Sequence, residues 1–295
     1  MKKTKKLLAV FAAVSVALML PLQTMAAVDL NAKYDISTNQ IQGWPAGPDI
    51  TSDTGILMDA DTGVVLYNKG GDEQRYPASI TKIMTLLVAV ENSTMDEKVT
   101  FTETGVRNVT ADSSNIGTKV GEVLTMEDCL HALIIQSAND VAAQIAEHIG
   151  GTEQAFIDMM NQRASEIGCT NTHFATPNGL DKGLNHYTTA SDLAKIATYA
   201  LKYPAFRTLI STQKRSFRSI NTKRRFTVTT TNALLGNMPG VQGMKTGYTD
   251  KAGHCFVGLS KSAKGNTYIS IVLGGKTSQS RWKDSRILLN YAYKH

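Results

Sequence analysis

The order of predicted elements indicates an α/β protein of the α+β type, an antiparallel sheet flanked by helices plus an all-helical lobe. Strand patterns precede one helix near residue 77, and helical patterns fill the middle of the chain. Strand patterns and one last helix return after residue 204. Strands at both ends of a chain with a helical middle are typical of a sheet with helices packed on it and a separate helical lobe.

The first 26 residues have the pattern of a secretory signal peptide. Four lysines precede an apolar run from residue 7 to residue 20, and small residues for cleavage after Ala26 or Ala27 follow. A retained membrane anchor is the alternative, but the run is short of the roughly 20 apolar residues that span a bilayer. Residues 27–49 are polar with glycines and prolines, which predicts a flexible lead-in. One domain over residues 50–295 remains.

Charge and cysteine content exclude several classes of function. The sequence has 31 basic and 25 acidic residues, and losing four lysines on cleavage leaves 27 against 25, a net charge of +2. Net charge therefore gives no case for a nucleic-acid partner. The histidines and cysteines show no metal-ligand spacing, so we predict no metal and no cofactor. Three cysteines beside apolar residues predict buried, unreactive thiols, namely Cys129, Cys169 and Cys255.

A hairpin and a helix begin the predicted domain. Strand patterns cover residues 54–59 and 64–67, with a turn between them. The helix is predicted to begin around Pro77, because proline is favoured in a first helical turn. Its apolar stripe consists of Ile83, Leu86, Leu87 and Val90.

Four helices are predicted in the middle section, about residues 100–205. The first begins near Thr125 and ends near Gln136, which leaves Ser137 to Asn139 on a short connection before Asp140 opens the second. The third is capped at Thr152 and ends at Gly168. The fourth begins at Thr189 or Ser191 and runs to about residue 203, where Pro204 is a stop signal.

Strand patterns return over residues 212–219, 224–230, 243–247, 253–259 and 267–273, and a helix over residues 279–293 closes the chain. The first two strands flank a basic turn with Lys214, Arg215, Arg218, Lys223, Arg224 and Arg225. This turn is either a solvated hairpin tip or a contact for anionic wall polymer or lipid head groups.

Three short motifs carry the chemistry. Ser79 and Lys82 lie one helical turn apart, so a lysine amine that is kept neutral can take the proton of the serine hydroxyl. Ser137-Ala138-Asn139 follows, and then Lys245-Thr246-Gly247. An S-x-x-K, S-x-N and K-T-G set in this order is the signature of serine penicillin-binding proteins and β-lactamases.

The chain resembles the low-molecular-mass penicillin-binding proteins of the D-alanyl-D-alanine carboxypeptidase type, serine peptidase family S11. The resemblance extends from about residue 55 to residue 293 and includes the segments 59–63, 78–85, 137–140, 170–174, 186–190 and 245–249. It implies a penicillin-binding transpeptidase and β-lactamase-like fold. The implied reaction removes the terminal D-alanine from peptidoglycan pentapeptide stems, with β-lactam antibiotics as acylating inhibitors.

The resemblance also implies a role for each motif residue. Ser79 is the nucleophile, Lys82 the general base, and Ser137 passes a proton to the leaving D-alanine. Asn139 holds Lys82 and the substrate amide, and the backbone N–H groups of Ser79 and Tyr248 form the oxyanion site. The terminal carboxylate is bound by the K-T-G strand, Lys245, Thr246 and Gly247, with Arg281 as a second cation.

Two departures from the family pattern refine these expectations. Many relatives carry a further β domain and an amphipathic membrane helix, whereas this sequence stops at His295, so we expect an exported protein that is secreted, wall-associated or loosely peripheral to the membrane. The middle motif is S-A-N, not the S-D-N of class A β-lactamases. A β-lactamase-like hydrolase and a non-catalytic wall-binding protein are the alternatives.

Overall fold

A six-stranded antiparallel sheet forms the centre of the protein, seen here in a computed structural model that describes residues 33–39, 42–181 and 183–295. The predicted signal peptide lies outside these described residues. The strand order is β1-β3-β2-β10-β9-β8, and the strands are β1 (Ile36–Thr38), β2 (Thr54–Asp59), β3 (Val65–Lys69), β8 (Val241–Thr249), β9 (Gly253–Lys261) and β10 (Thr267–Gly275). Thus β8, which carries the K-T-G motif, is an edge strand.

Helices cover both faces of this sheet, as predicted. The N-terminal helix α1 (Lys82–Asn92) lies in the larger core, which is shared with α3 (Met126–Ile135), α4 (Asn139–Gly150), α5 (Glu153–Ile167) and α6 (Ala190–Ala200). The C-terminal helix α8 (Ser278–Lys294) packs on the other face in a smaller core. All three cysteines are free and buried, as the sequence predicted. Within the described residues, no helix has the length and apolar character needed to cross a bilayer.

The capping residues explain why the middle helices begin where they do. Thr125, Thr152 and Thr189 each accept a hydrogen bond from a backbone N–H three residues later. Such a cap satisfies a donor that the helix itself leaves unpaired. The α5 helix ends at Gly168, whose φ of 88° is accessible to glycine at little cost. These starts and stops match the sequence prediction.

Several boundaries differ from the prediction. The sequence predicts Pro204 as a stop signal, but it is the first residue of another helix, α7 (Pro204–Ser211), because proline also suits the first helical position. Asn139 is the first residue of α4 and not part of the connection. The lead-in contains β1, which pairs with β3. A short helix, α2 (Glu103–Val106), was not anticipated.

The helical lobe also contains strands, so it is not all-helical. Two three-residue strands, β4 (Lys98–Thr100) and β5 (Val123–Thr125), pair with each other and bury Val99 and Leu124. They are too short to give a readable alternation. The predicted basic hairpin is confirmed as β6 (Lys214–Arg218) and β7 (Arg225–Thr229), a separate two-stranded ribbon.

Candidate active site

A cleft of about 350 Å³ lies where β8, the turn before α1 and the helical lobe meet. Residues from all three predicted motifs line it, together with Arg281 from α8. Its lining also includes residues that the sequence analysis did not single out, namely Asp112, Ser113, Ser114, Leu180, Thr231 and His254. Lys82 and Lys245 lie behind this lining, each almost completely buried.

Ser79 lies in a 3-10 turn, Ala78–Thr81, and not in the first turn of an α-helix. A 3-10 turn has three residues per turn, so side chains at positions i and i+3 are aligned. This aligns Ser79 with Lys82, and the Lys82 Nζ lies 3.0 Å from the Ser79 Oγ. The preceding residue, Ala78, has a φ of 48°, a conformation that costs energy in a residue with a Cβ.

The Lys82 amine is held by two acceptors that the chain brings from distant positions. Its Nζ lies 2.7 Å from the Asn139 Oδ1 and 2.6 Å from the backbone oxygen of Asn178. A neutral amine has two hydrogens and one lone pair. If both hydrogens are donated to these two oxygens, the lone pair is left to accept the proton of the Ser79 hydroxyl.

The surroundings of Lys82 favour this neutral form. Its pKa is lowered well below the usual value for lysine, first by complete burial and second by the nearby charge of Lys245, while Asp140 opposes the shift. Burial disfavours the charged form because the interior solvates an ammonium group less well than water does. The geometry therefore joins an accessible serine hydroxyl to a base with a free lone pair.

The second motif forms the opposite wall of the cleft. Ser137 has a φ of 65° and is buried but lines the cleft, while Asn139 begins α4. The next residue, Asp140, accepts hydrogen bonds from the backbone and the hydroxyl of Thr118. The Asn139 backbone N–H also donates to the Ser114 oxygen. These bonds fasten the loop of residues 112–118 to the motif.

The third motif brings a strand against the nucleophile turn. A Cβ on Gly247 would lie 3.0 Å from the Pro77 oxygen, so glycine permits this close approach. The hydroxyl of Thr246 faces the cleft beside Thr231, with 2.6 Å between their Oγ1 atoms. The Lys245 Nζ donates to the Thr246 backbone oxygen at 2.9 Å, and burial together with the charge of Arg281 lowers the pKa of Lys245 to about 7.

Arg281 supplies a cation at the same end of the cleft. Its Nη1 donates to the backbone oxygens of Gly247 and Cys255, and its Nε is buried without a hydrogen-bond partner. Among the described residues, no carboxylate forms an ion pair with it. The site therefore contains a fixed positive charge that a ligand carboxylate can neutralise.

His254 is a cleft residue that the sequence analysis missed. Its ring stacks on that of Tyr248 with 4.4 Å between centroids, and its Nδ1 is buried without a partner. Burial and the charge of Arg281 lower its pKa. A neutral ring has one N–H, and the tautomer with the proton on Nε2 offers a hydrogen-bond donor. Its position on β9, paired with Tyr248 on β8, gives no motif by which sequence reading could find it.

Comparison with known proteins identifies the family of this chain. The profile of the D-alanyl-D-alanine carboxypeptidase family, Peptidase S11, matches residues 41–277. The carboxypeptidase DacF of Bacillus subtilis is 37% identical over 244 residues, which are 81% of this chain and 61% of that protein. The carboxypeptidase of Streptomyces sp. strain K15 is 33% identical over 259 residues, which are 83% of this chain and 88% of that protein. The chain thus spans about three fifths of the Bacillus relative.

Solved structures confirm the predicted fold. The Streptomyces K15 DD-transpeptidase superposes with a TM-score of 0.80 at 32% identity, covering 85% of this chain and all of that one. The carboxypeptidase DacD of Francisella tularensis gives a TM-score of 0.78 at 29% identity, covering 87% of this chain and 73% of that one. The match to the family profile covers most of the sequence, and the chain therefore belongs to the D-alanyl-D-alanine carboxypeptidase family, S11.

Proposed function

We propose that this protein is an exported serine D-Ala-D-Ala carboxypeptidase that removes the terminal D-alanine from peptidoglycan pentapeptide stems. The observation that carries the proposal is the buried Lys82 amine 3.0 Å from the Ser79 hydroxyl, beside a cleft with an unneutralised Arg281. Family membership supports the reaction class. We also propose that residues 1–26 are a signal peptide that directs export, that residues 27–49 form a flexible lead-in segment, and that residues 50–295 form the catalytic domain.

In the acylation step, Lys82 accepts the Ser79 proton while the Ser79 Oγ bonds to the carbonyl carbon between the two D-alanines. The carbon–nitrogen bond then breaks. Ser137 passes the proton to the leaving amine, so D-alanine departs and an acyl-enzyme remains. Water, deprotonated by Lys82, attacks the ester carbonyl carbon. The bond from this carbon to the Ser79 Oγ then breaks, Lys82 returns the proton to that oxygen, and the shortened stem peptide leaves. Asn139 keeps the amine oriented in both steps through its 2.7 Å hydrogen bond.

The oxyanion of each tetrahedral intermediate is assigned to the backbone N–H groups of Ser79 and Tyr248. Ser79 lies in the nucleophile turn, and Tyr248 follows Gly247 on the edge strand that packs against this turn. Losing one such donor costs roughly 2.7–4 kcal/mol of transition-state stabilisation. The edge strand β8 also suits an extended peptide, which can bind by main-chain pairing.

The carboxylate of the terminal D-alanine is assigned to the end of the cleft with Thr246 and Arg281. Thr246 offers a hydroxyl and Arg281 a positive charge. Lys245 is buried behind the cleft lining, and its charge attracts the carboxylate from there. His254 adds a neutral donor at this end. A substrate without a terminal carboxylate would leave these groups buried and unpaired, which is a strong basis for discrimination.

A labelled penicillin and a D-Ala-D-Ala pentapeptide test this proposal together. We expect a long-lived adduct with penicillin and release of D-alanine, both lost in Ser79→Ala and retained in a surface control, Ser165→Ala. Rapid penicillin turnover without D-alanine release would establish a β-lactamase instead. Peptidoglycan binding with neither adduct nor release would establish a non-catalytic wall-binding protein. Release of crosslinked partners as well as D-alanine would add endopeptidase activity.

A further inference from the structure

The β6–β7 hairpin presents an unusual separation of its charges. Residues 214–229, all described, contain six basic and no acidic residues. Phe217, Phe226 and Val228 are buried, so alternation along the strands puts their neighbours on the outward face. We define the basic face as four exposed cations. Three are on the strands, Lys214, Arg218 and Arg225, and the fourth is Lys223 in the turn.

The two remaining basic residues of the hairpin form ion pairs with carboxylates of the helical lobe. Arg215 Nε lies 2.8 Å from the Asp128 Oδ1, and Arg224 Nε lies 2.9 Å from the Glu122 Oε1. These pairs fasten the ribbon to the helical lobe. In the described part of the chain, no ion pair involves the basic face. The four cations of that face therefore have no structural role in attaching the hairpin.

The basic face even includes a repulsive pair. Arg218 and Arg225 are directly opposite each other across the two strands. Like charges at such positions are destabilising. Between them and Lys214 lie short hydroxyl side chains, with Ser216 and Thr227 hydrogen-bonded to each other at 2.9 Å. A flat polar row with repelling cations suits an anionic ligand, which would relieve the repulsion.

The open end of the hairpin, where β6 starts and β7 ends, lies at the rim of the active-site cleft. The Thr229 backbone N–H donates to the Gln136 Oε1, next to Ser137. Two residues further on, Thr231 lines the cleft beside Thr246. A polymer bound along the basic face would therefore reach the rim of the cleft that contains Ser79. The face carries no exposed large apolar side chain, so it offers nothing to insert into a lipid bilayer.

We propose that the basic face binds the carboxylate-bearing stem peptides of polymeric peptidoglycan beside the one in the cleft. This inference rests on the proposed function and specifies its substrate as the polymer. Arginine matches carboxylates with two parallel hydrogen bonds, and several weak contacts along one polymer raise the effective concentration of the next stem peptide. Such contacts weaken with salt because exposed charges are screened.

The test compares a soluble D-Ala-D-Ala tripeptide with insoluble peptidoglycan that contains pentapeptide stems. The variant combines Lys214→Gln, Arg218→Gln and Arg225→Gln. A control removes three exposed cations elsewhere, by Lys264→Gln, Lys283→Gln and Arg286→Gln. We expect the variant to keep the wild-type kcat/KM for the tripeptide. On the polymer at low salt its rate falls on the order of fivefold, and the difference disappears at high salt. The control keeps both rates.

Several results would overturn the inference. These are an unchanged rate on the polymer, an equal loss in the control, or a loss that salt does not remove. Peptidoglycan stripped of attached phosphate polymers must show the same difference in rate between wild type and variant. If the two rates are equal on the stripped polymer, the basic face binds phosphate groups instead. A wild-type protein that releases no D-alanine from the tripeptide would refute the proposed function, and the inference with it. Neutralising Arg218 and Arg225 removes a repulsion, so thermal unfolding should occur no earlier than in the wild type.

Discussion

At the scale of single residues, the protonation of Lys82 decides whether Ser79 can react. The amine is buried between Asn139 and Asn178, and its two hydrogens have acceptors that cannot donate in return. In the neutral form of the amine, the lone pair is therefore directed at the serine hydroxyl. Lys245 contributes from a distance, because its positive charge further lowers the pKa of Lys82.

The pH dependence of acylation tests this coupling. Lysine acts as a base only above its pKa, so the rate of acylation should rise with pH through the Lys82 pKa. Lys245→Gln removes the positive charge that Lys245 carries below its own pKa of about 7. The pKa of Lys82 should therefore rise and the rising limb should move to higher pH, with a slower rate at and below pH 7. The measurement is the second-order rate of labelling by penicillin between pH 5 and 10. Lys251→Gln removes an exposed charge as a control, and a rising limb that does not move in Lys245→Gln would refute the coupling.

His254 offers a second residue-scale prediction. His254→Phe retains a ring to stack on Tyr248 but removes the donor, whereas His254→Gln retains a neutral donor. We expect the Phe variant to raise KM for a D-Ala-D-Ala peptide roughly tenfold, near the cost of about 1.5 kcal/mol for a hydrogen bond to a charged group. Its kcat should change little, since the contact is the same in the ground and transition states. The Gln variant should recover most of the loss, and equal KM values in both variants would rule out a donor role.

At the scale of elements, the catalytic site depends on how closely separate segments approach one another. Three of the four non-glycine residues with positive φ in the described chain are Ala78, Ser137 and Met244, each in or next to a motif. Positive φ is costly for residues with a Cβ and persists only where surrounding packing enforces it. For the nucleophile turn, part of that packing comes from Gly179, next to the carbonyl that binds Lys82.

Gly179→Ala should therefore disrupt the site through a steric clash. The new Cβ would lie 1.9 Å from the Ala78 oxygen, so the nucleophile turn or the loop must move. We expect a loss of roughly 1–3 kcal/mol in the free energy of unfolding from overpacking, beyond the backbone cost of alanine at positive φ. Penicillin acylation should fall on the order of 100-fold, as expected for a displacement of about 1 Å.

Gly183→Ala is the matched control for this substitution. Gly183 also has a positive φ, 79°, and a Cβ there meets nothing within 4 Å. It therefore shares the backbone cost without the clash. Chemical unfolding and the acylation rate of both variants are the measurements. Equal losses in the two variants would show that the contact between Gly179 and Ala78 does not position the turn.

At the scale of the whole molecule, one buried histidine contacts the nucleophile turn and makes the stability of the protein depend on pH. The ring of His186 accepts a hydrogen bond from the Ala175 backbone N–H at Nδ1, so its proton is on Nε2, 2.8 Å from the Thr81 Oγ1. Thr81 belongs to the nucleophile turn. Burial lowers the pKa of His186 to about 3. The folded protein therefore excludes a proton that the unfolded chain binds below pH 6.5.

Stability should consequently fall as pH drops from about 6.5 towards 3. In this window the unfolded chain binds more protons at His186 than the folded one, so acid favours unfolding. The full effect is at most roughly 5 kcal/mol, from a pKa of about 3 against 6.5. Urea unfolding at several pH values measures it. His186→Gln should be less stable at pH 7 but should show a shallower pH dependence, while the variant His295→Gln, which removes an exposed histidine, should keep the wild-type slope. A wild-type slope in His186→Gln would contradict this account.

Sequence patterns determined more of this protein than its fold class. The three motifs, the apolar strand patterns of β9 and β10 and the threonine caps are local signals, each readable within a few residues. Pro204 shows the limit of such signals, because proline both ends one helix and begins another. The short strands β1, β4 and β5 were missed because three residues give too little pattern.

Only the tertiary structure decided the state of the groups within the site. The complete burial of Lys82 and its bond to the Asn178 oxygen, 96 residues away, depend on packing between distant segments. The same holds for His254 with its unpartnered nitrogen, and for the separation of the hairpin arginines into paired and unpaired faces. A sequence states which groups are available, but pKa and reactivity depend on solvent exclusion and nearby charges, which exist only once the chain has folded.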